Sequence, residues 1–278
     1  MLTVVGDLVA DLIVLGGHAL ARGTDNPAEV RLTRGGSAAN VAVAAAARHP
    51  VRFIGRVGAD ALGDTLAREL ATAGVDVRVQ RGGRTGAIVI LVDDEGERTM
   101  ITDRGAAAEL EPIDQAWFDG SGRVHLPLYG FTDAASRAAL LVAVAQLKER
   151  GIPVSIDLSS TATMHAIGAP LLAEILAETH PDVVFANADE ARLAATLGLV
   201  PPGDYVVKRG GDPVIVTLDG VPHEVPVQRV DDVVDSTGAG DAFAAGFLIA
   251  RIDGADALEA ARAGSHLAMQ ALRRPGAL

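Results

Sequence analysis

The sequence predicts an α/β fold in which helices cover both faces of a mostly parallel sheet. First, short β-branched runs alternate with longer helical segments along most of the 278 residues. Second, the predicted strands are almost continuously apolar, as strands are when both faces of a sheet are buried. Third, hydrophobic residues make up 49% and charged residues 22% of the chain, which excludes a disordered protein.

The first elements of this alternation lie before residue 74. Residues 3–6 form a β-branched run closed by glycine and predict the first strand. Residues 37–48 are small and mostly apolar, which favours a helix, and Pro50 ends it. Residues 51–57 predict a second strand, and residues 61–73 predict an amphipathic helix.

The pattern between residues 75 and 102 is different and predicts antiparallel strands. Residues 75–80 alternate apolar and polar side chains, and residues 86–92 and 97–102 flank a polar turn. A second hairpin is predicted by residues 214–217 and 223–227. Because such segments do not fit inside a parallel sheet, we expect them to form a small accessory sheet beside it.

The remaining segments restore the strand–helix alternation. Strands are predicted at residues 123–126, 154–157, 183–186 and 205–207, and helices at residues 133–150, 170–178, 188–197, 239–252 and 255–272.

The net charge argues against nucleic acid as a partner. The chain has 24 Lys and Arg and 36 Asp and Glu, which gives a net charge of −12. A nucleic-acid-binding protein usually carries an excess of basic residues instead.

Two further absences narrow the class of protein. No apolar run is long enough to span a bilayer, and the N-terminal segment carries Asp7 and Asp11 where a leader would be basic. We therefore expect a cytoplasmic protein with no membrane partner. Cysteine is also absent, so neither a disulfide nor a thiolate nucleophile is available.

The segment Asp235-Ser236-Thr237-Gly238-Ala239-Gly240-Asp241 opens a predicted helix and has the composition of an anion site. Glycines at a helix start let backbone N–H groups face a ligand, and the helix dipole favours negative charge there. Asp241 in the first turn suits a base that deprotonates a hydroxyl while the amides hold a phosphate. The alternative is a plain helix that begins with an acidic turn.

The segment Gly35-Gly36-Ser37-Ala38-Ala39-Asn40 suits a polyol. Paired glycines let a ligand touch the backbone, and the Asn40 amide in the first helical turn can pair with hydroxyls. Asp11, after the first strand, is a further acceptor for hydroxyls. The alternative is an ordinary strand-to-helix turn with Asn40 in solvent and Asp11 in a turn.

The third segment, Asn187-Ala188-Asp189-Glu190, follows a predicted strand. Ligands bind at the carboxyl ends of strands in open sheets, and a carboxylate there can hold Mg²⁺ through water. The alternative is a helix cap with Glu at its third position. Lys208 and Gly210 end another strand and suit a nucleotide contact, or an exposed lysine before a tight turn.

Taken in this order, the segments resemble the ribokinase-like, or PfkB, carbohydrate kinases. Gly35-Gly36-x-x-x-Asn40 resembles the family's N-terminal signature, and residues 55–63 continue it. Asp235-x-Thr237-Gly238-Ala239-Gly240-Asp241 resembles the C-terminal signature, and Asn187-x-x-Glu190 the magnesium and phosphate motif. The resemblance covers nearly the whole chain. It implies a ribokinase-like three-layer sandwich that transfers a phosphoryl group from ATP to a primary hydroxyl of a sugar.

The resemblance also implies residue roles. Asp241 would be the base, with the γ-phosphate held by Gly238, Ala239 and Gly240. Sugar hydroxyls would bind at Asp11, Gly35, Gly36, Asn40 and Asp241. The nucleotide would contact Asn187, Lys208, Gly210, Gly238 and Gly240. Glu190 and Asn187 would organise Mg²⁺ through water, and Asp235 would join a site for a monovalent cation such as K⁺.

The resemblance further implies a single domain over residues 1–278, with a small β lid contributed by about residues 12–34 and 75–102, and a homodimer formed through that lid. One departure concerns Asp157-Leu158-Ser159, where many relatives carry Asp-Pro-Asn, so a phosphate or substrate contact is expected to differ there. Two alternatives stay open. One is an adenosine-type nucleoside kinase, although aromatic residues make up only 3% of the chain. The other is a non-catalytic sugar-binding regulator.

Overall fold

The strands of two sheets organise the chain, and the computed structural model describes residues 1–16, 20–93, 97–230 and 232–273. The strands are β1 (Leu2–Val5), β2 (Val9–Leu15), β3 (Glu29–Gly35), β4 (Val51–Val57), β5 (Asp76–Arg81), β6 (Thr85–Val92), β7 (Arg98–Gly105), β8 (Arg123–Pro127), β9 (Val154–Asp157), β10 (Val183–Asn187), β11 (Asp204–Arg209), β12 (Asp212–Leu218) and β13 (Val221–Val225). Residues 17–19 of the predicted lid and 94–96 of the predicted hairpin turn lie outside the described residues.

Helices separate most of the strands. They are α1 (Ser37–Ala46), α2 (Ala61–Thr72), α3 (Ala134–Glu149), α4 (Thr161–Ile167), α5 (Ala169–Thr179), α6 (Ala188–Thr196), α7 (Ala239–Ile252) and α8 (Ala257–Ala271). The short helix α4 was not predicted. Within the described ranges, every helix is too short or too polar to cross a membrane.

The central sheet has nine strands in the order β13-β12-β11-β10-β9-β8-β1-β4-β5. All pairs from β11 to β5 are parallel. Successive buried residues of a strand face opposite layers: Phe185 packs with the cluster of α1, α7 and α8, whereas Val184 packs with that of α3 and α5. The predicted fold, a mostly parallel sheet with helices on both faces, is confirmed.

Two predictions about the accessory sheet are wrong. Residues 76–80 lie in β5, which pairs in parallel with β4 at one edge of the central sheet. The intervening helix α2 makes this a β-α-β unit, and an edge strand tolerates the polar positions that suggested a hairpin. The predicted hairpin of residues 214–227 does form, as β12 and β13, but it extends the other edge of the central sheet by antiparallel pairing with β11.

The small sheet has four strands in the order β3-β2-β6-β7, and we call it the lid. The predicted hairpin at residues 86–102 is confirmed as β6 and β7. Strands β2 and β3 pair antiparallel, and β2 lies parallel to β6. The lid therefore combines two hairpins that are separated along the chain by α1, β4, α2 and β5.

Candidate active site

Three charged or polar side chains meet at the carboxyl ends of neighbouring parallel strands. Asp157 ends β9, Asn187 ends β10 and Lys208 lies one residue before the end of β11. Asn187 is opposite Lys208, and Phe185 of β10 is opposite Asp157. Because the strands run in parallel, their polar ends gather at one edge of the sheet, where ligands of open α/β sheets bind.

Lys208 is paired with Asp157 and is not the exposed lysine that the sequence left open. Its Nζ lies 2.7 Å from Asp157 Oδ2, and the side chain is 15% exposed. Burial alone would lower the pKa of Lys208, but the Asp157 carboxylate raises it above its usual value. Lys208 therefore places a permanent positive charge at this edge of the sheet.

Asn187 and Glu190 form a capping box at the start of α6. The backbone N–H of Asn187 donates to Glu190 Oε2 at 2.8 Å, and Asn187 Nδ2 donates to Oε1 at 2.7 Å. Burial, and then the nearby Asp157 carboxylate, raises the pKa of Glu190. The structural role that the sequence offered as an alternative is thus present, and it holds a buried carboxylate beside Lys208 and Asp157.

The N-terminus of α7 forms the opposite wall. Gly238 is its cap, with a left-handed φ of 73° that favours glycine, and no side chain caps the first turn. A Cβ built on Gly240 would meet only Lys208 Nζ, at 3.4 Å. The amides of residues 238–240 and the Lys208 ammonium therefore border the same small space, which suits an anion.

Asp241 lies in the first turn of α7 and is held by two donors from α1. Ser37 Oγ donates to Asp241 Oδ1 at 2.7 Å, and Asn40 Nδ2 donates to Oδ2 at 3.1 Å. Burial raises the pKa of Asp241 to about 6, although the hydrogen bonds from Ser37 and Asn40 lower it. The carboxylate is thus ionised at neutral pH and close enough to titration to accept a proton.

Asn40 is buried rather than solvated, because the turn before it is tight. Gly36 has a φ of 101°, and a Cβ on it would overlap the carbonyl of Asp7. A Cβ on Gly35 would overlap the carboxylate of Asp11. The close contacts of Gly35 and Gly36 hold the start of α1 against β1 and β2. In this position the Asn40 side chain reaches Asp241.

Two neighbouring clefts lie at the start of α7, and Asp241 lines the first of them. The first has a volume of about 710 Å³ and contains Asn187, Glu190, Lys208, Gly210, the residues 238–240 and Asp241 at one end, with aliphatic side chains such as Val227 and Met269 at the other. The second, of about 520 Å³, lies under the lid and contains Asp11, Thr33, Arg34 and Asp235. Both are lined by Val233 and Ser236. We call the first the donor cleft and the second the acceptor cleft, after the phosphoryl donor and the acceptor that the sequence resemblance implies.

The two predicted aspartates of the acceptor cleft have different surroundings. Burial raises the pKa of Asp11 to about 6, while Arg34 lowers it. The carboxylate of Asp235 accepts hydrogen bonds from the backbone and hydroxyl of Thr237 and forms an ion pair with Arg98 of the lid. Asp11 thus faces the cleft as a partly desolvated acceptor, whereas Asp235 is tied to the lid.

Sequence reasoning missed several residues of the site. Asp157, Ser37 and the lid arginines Arg34 and Arg98 were not chosen as candidates, although Arg34 directly precedes the glycine pair. Asp7 and Arg104 form a two-contact ion pair, with Nε–Oδ2 and Nη2–Oδ1 distances of 2.7 Å. The Asp7 carboxylate is therefore paired with an arginine, in contrast to that of Asp11.

Comparisons with known proteins identify the family of the chain. A sequence model described as the pfkB family of carbohydrate kinases matches residues 1–278. The ATP-dependent ribose-1-phosphate kinase of Halopiger xanaduensis is 36% identical over 244 residues, covering 81% of this chain and 76% of its own. The fructokinase of Klebsiella pneumoniae is 30% identical over 266 residues, covering 88% and 82%.

Solved structures give the same result for the fold. A fructokinase with bound ATP from Xylella fastidiosa is 26% identical, covers 99% of this chain and 93% of its own, and has a TM-score of 0.85. An adenosine kinase from Sinorhizobium meliloti, 24% identical, covers 99% and 94% with a TM-score of 0.86. The chain belongs to the pfkB family of carbohydrate kinases, ATP-binding phosphotransferases whose acceptor is an alcohol group.

Proposed function

We propose that this protein phosphorylates a primary hydroxyl of a sugar, with Asp241 as the base. The observation that carries the proposal is the position of Asp241 in the donor cleft, at the start of α7, where Ser37 and Asn40 of α1 hold its carboxylate. ATP would occupy the donor cleft. The apolar end of this cleft suits the adenine ring, and its polar end suits the phosphates. The sugar would lie under the lid.

The proposed transfer involves the sugar hydroxyl, the Asp241 carboxylate and ATP. The sugar hydroxyl gives its proton to the Asp241 carboxylate, and the oxygen lone pair forms a bond to the γ-phosphorus. The bond from that phosphorus to the bridging oxygen breaks, and ADP leaves with its electron pair. The proton on Asp241 then passes to solvent. A pKa of about 6 lets the carboxylate accept a proton at neutral pH and release it again.

The transferring group is negative, and fixed positive groups face the place where it would lie. The amides of residues 238–240 and the dipole of α7 stabilise charge on its oxygens. Lys208 supplies a full positive charge, and its Nζ lies 3.4 Å from the Cβ position on Gly240. Gly210 and Gly211 form the turn between β11 and β12 beside this space, where a nucleotide can approach the backbone.

Mg²⁺ fits the donor set at Asn187 and Glu190. Mg²⁺ prefers oxygen ligands and keeps several waters, so one or two carboxylates together with substrate phosphates suffice. Glu190 is a buried carboxylate whose pKa is raised by burial and by the Asp157 carboxylate, so a nearby cation would be favourable. Among the described residues no three acidic or imidazole side chains form a metal cage. Bound Mg²⁺ would neutralise charge on the phosphates, and Glu190 and Asn187 would orient its waters.

A monovalent cation such as K⁺ would bind at Asp235 only in competition with Arg98. The Asp235 carboxylate is the candidate ligand, and Arg98 of the lid already offsets its charge. Cation binding and release of Arg98 would therefore be linked.

A nucleoside acceptor is the second candidate. Ile13, Leu15, Ile90 and Val92 give the acceptor cleft an aliphatic wall from the lid, which can contact the flat face of a base. Relatives that include the adenosine kinase of Saccharomyces cerevisiae, 28% identical over 276 residues, are consistent with it. A non-catalytic regulator has less support, since Asp241 retains its hydrogen bonds and the glycines of the anion site are intact.

The chain would act as one domain in the cytoplasm, where ATP is made. Hydrogen bonds from Ser37 and Asn40 to Asp241 join residues 204 and 201 positions apart, so that a cut between the halves would divide the site. The lid strands β2, β3, β6 and β7 would be a discontinuous part of this domain.

We further propose a homodimer that forms through the outer face of the lid. Leu32, Leu12, Val89 and Ile101 are opposite one another across all four strands and make one apolar row. Leu32 is 62% and Ile101 59% exposed. A second copy would bury such a face. Leu32→Asp should convert a dimer to a monomer in sedimentation analysis, whereas Val200→Asp, at another exposed site, should not. A monomeric wild type contradicts the proposal.

The base assignment is tested with Asp241→Asn in a phosphoryl-transfer assay. Loss of the base should lower kcat by about 10²- to 10⁴-fold with a small change in KM for ATP. Asp64→Asn, an exposed carboxylate on α2, is the matched control and should keep wild-type turnover. Near wild-type turnover of Asp241→Asn with the same acceptor would contradict the assignment.

A further inference from the structure

The polar end of the donor cleft contains a hydroxyl to which the reaction above gives no role. Tyr129 lines this end of the cleft, together with Asp157, Glu190, Lys208 and Asp241. Three of these side chains are carboxylates, which accept hydrogen bonds, and Lys208 already donates to Asp157 at 2.7 Å. A bound triphosphate adds further acceptors. The Tyr129 hydroxyl is therefore an additional donor at a place where donors are needed.

The protein itself makes little use of the hydroxyl proton of Tyr129. The hydroxyl donates to the backbone carbonyl of Ser159 at 3.5 Å, whereas an O–H···O hydrogen bond is usually about 2.7 Å long. By contrast, Ser37 Oγ in the same cleft donates to Asp241 Oδ1 at 2.7 Å. Exchange of such a long contact for a bond to a charged oxygen is favourable. The proton of Tyr129 can thus be donated to a ligand.

The Tyr129 hydroxyl keeps its proton throughout the neutral pH range. Burial raises the pKa of Tyr129 to about 12, although a hydrogen bond with Ser160 lowers it. Among the nearby charges, the Asp241 carboxylate contributes most to the increase in this pKa. The hydroxyl is therefore a neutral, permanent donor in the field of the Asp241 carboxylate. The terminal phosphate of ATP has to lie in the same place if Asp241 is the base.

Hydrogen bonds on both sides of Tyr129 hold its backbone in the short helical turn that follows β8. The N–H of the preceding residue, Leu128, donates to Ser159 Oγ at 2.9 Å. The Tyr129 carbonyl accepts from Thr132 Oγ1 at 2.9 Å, and Arg104 of the lid donates to that hydroxyl at 2.6 Å. A residue that is already ordered loses little freedom when a ligand binds, so its hydrogen bond contributes more to the affinity.

We propose, resting on the kinase function above, that the Tyr129 hydroxyl donates a hydrogen bond to the γ-phosphate of ATP, beside Asp241. The amides of residues 238–240 and the Lys208 ammonium face this phosphate from α7 and β11, and Tyr129 faces it from the end of β8. Because the phosphoryl group stays negative throughout the transfer, the hydrogen bond from Tyr129 stabilises both bound ATP and the transition state.

The test compares Tyr129→Phe with Tyr205→Phe, since the chain has two tyrosines. Tyr205 is the matched control, because its hydroxyl is also buried, has no partner in the described part of the chain and lines neither cleft. Both variants keep the ring and lose at most one long hydrogen bond, so we expect both to fold.

Calorimetry with Mg²⁺ and without an acceptor measures the Kd of β,γ-imido-ATP, which has a γ-phosphate, and of ADP, which has none. Tyr129→Phe should raise the Kd of the analogue at least about tenfold and leave the Kd of ADP within about twofold, as expected for one lost hydrogen bond to a charged group. Tyr205→Phe should change neither value. In a phosphoryl-transfer assay, kcat/KM for ATP should also fall at least about tenfold in Tyr129→Phe alone.

The two nucleotides distinguish a contact with the γ-phosphate from a general distortion of the cleft. An equal loss of affinity for the analogue and for ADP, or no loss for either, overturns the proposed contact. If the wild type phosphorylates no acceptor but Tyr129→Phe weakens the analogue selectively, the contact is supported and the kinase function alone fails. If the wild type is an active kinase and Tyr129→Phe keeps its Kd and kcat/KM, the contact fails and the kinase function stands.

Discussion

The carboxylate of Asp241 and the guanidinium of Arg34 are connected through one side-chain amide. Asn40 donates from Nδ2 to Asp241 Oδ2 at 3.1 Å and accepts at Oδ1 from Arg34 Nη1 at 3.1 Å. This fixes the orientation of the amide, because a flipped Asn40 would lose both hydrogen bonds. Asp241 is thereby linked to the last residues of the lid strand β3.

The pH profile should report this link. Asp241 accepts a proton only when ionised, so kcat/KM should fall as the pH drops below about 6. Asn40→Ala removes a donor that favours the charged form and should move the acid limb to higher pH. Ser37→Ala, which removes the other donor, should move it in the same direction. A limb that stays in place or moves to lower pH in both variants would contradict the assignment of this limb to Asp241.

Removal of the base should stabilise the protein at high pH. The pKa of Asp241 is about 6 when folded against 3.8 for the free group, so its contribution to stability is present below pH 3.8 and is lost as the pH rises through 6. Asp241→Asn should therefore increase the free energy of unfolding by about 2 kcal/mol at pH 8, and by much less at pH 4. Denaturant unfolding at both pH values measures this difference. An equal effect at both pH values would show that the stability change is unrelated to titration.

Variants of Lys208 and Asp157 should distinguish an effect on the unfolding free energy from an effect on turnover. Lys208→Met leaves the buried Asp157 carboxylate without its partner and should cost about 3 to 5 kcal/mol of unfolding free energy. The double variant Lys208→Met/Asp157→Asn removes both charges and should recover most of that loss. Turnover should not recover, because the positive charge beside Gly240 is gone. Recovery of both properties would mean that Lys208 is structural only.

Gly240→Ala should affect stability and activity in opposite directions. The added Cβ would lie 3.4 Å from Lys208 Nζ, close to ordinary contact, and alanine in a helix is favoured over glycine by roughly 0.5 to 1 kcal/mol. The unfolding free energy should thus stay level or rise. The methyl group would occupy the anion site, so KM for ATP should rise and kcat should fall. Wild-type kinetics in a folded Gly240→Ala would place the γ-phosphate elsewhere.

The ion pair of Arg98 and Asp235 should limit the effect of potassium. With Asp235 already neutralised, exchange of K⁺ for choline at constant ionic strength should change the wild-type kcat by less than about twofold. Arg98→Gln frees the carboxylate and should make kcat depend on K⁺. Strong K⁺ dependence of the wild type would show that the cation displaces Arg98 during turnover.

Local patterns predicted the helices and strands better than the sheets they join. The alternation in residues 75–80 identifies a strand, but its partner β4 is determined by the crossover through α2. The residues 214–217 and 223–227 predict the hairpin of β12 and β13, whereas its attachment to β11 depends on a pairing that no short segment encodes.

The residues of the candidate site also differ in whether a local motif or a long-range contact identifies them. Asp241, Asn40 and Glu190 lie in motifs whose spacing suggests chemistry. The pairing of Lys208 with Asp157 joins residues 51 positions apart, and that of Arg98 with Asp235 joins residues 137 apart. Such contacts follow from the topology of the sheets, so an isolated lysine or arginine gave no sign of its partner.

Only one residue, Gly36, lies between the end of β3 and the start of α1. Because a Cβ on Gly36 would overlap the Asp7 carbonyl, this joint has no spare room. We therefore expect a displacement of β3 to move Ser37 and Asn40 by a similar distance. Occupancy of the acceptor cleft and the basicity of Asp241 then vary together. With Asp241 as the proposed base, a water molecule in the acceptor cleft would be too small to displace the lid strands, and we expect slow hydrolysis of ATP when no acceptor is bound.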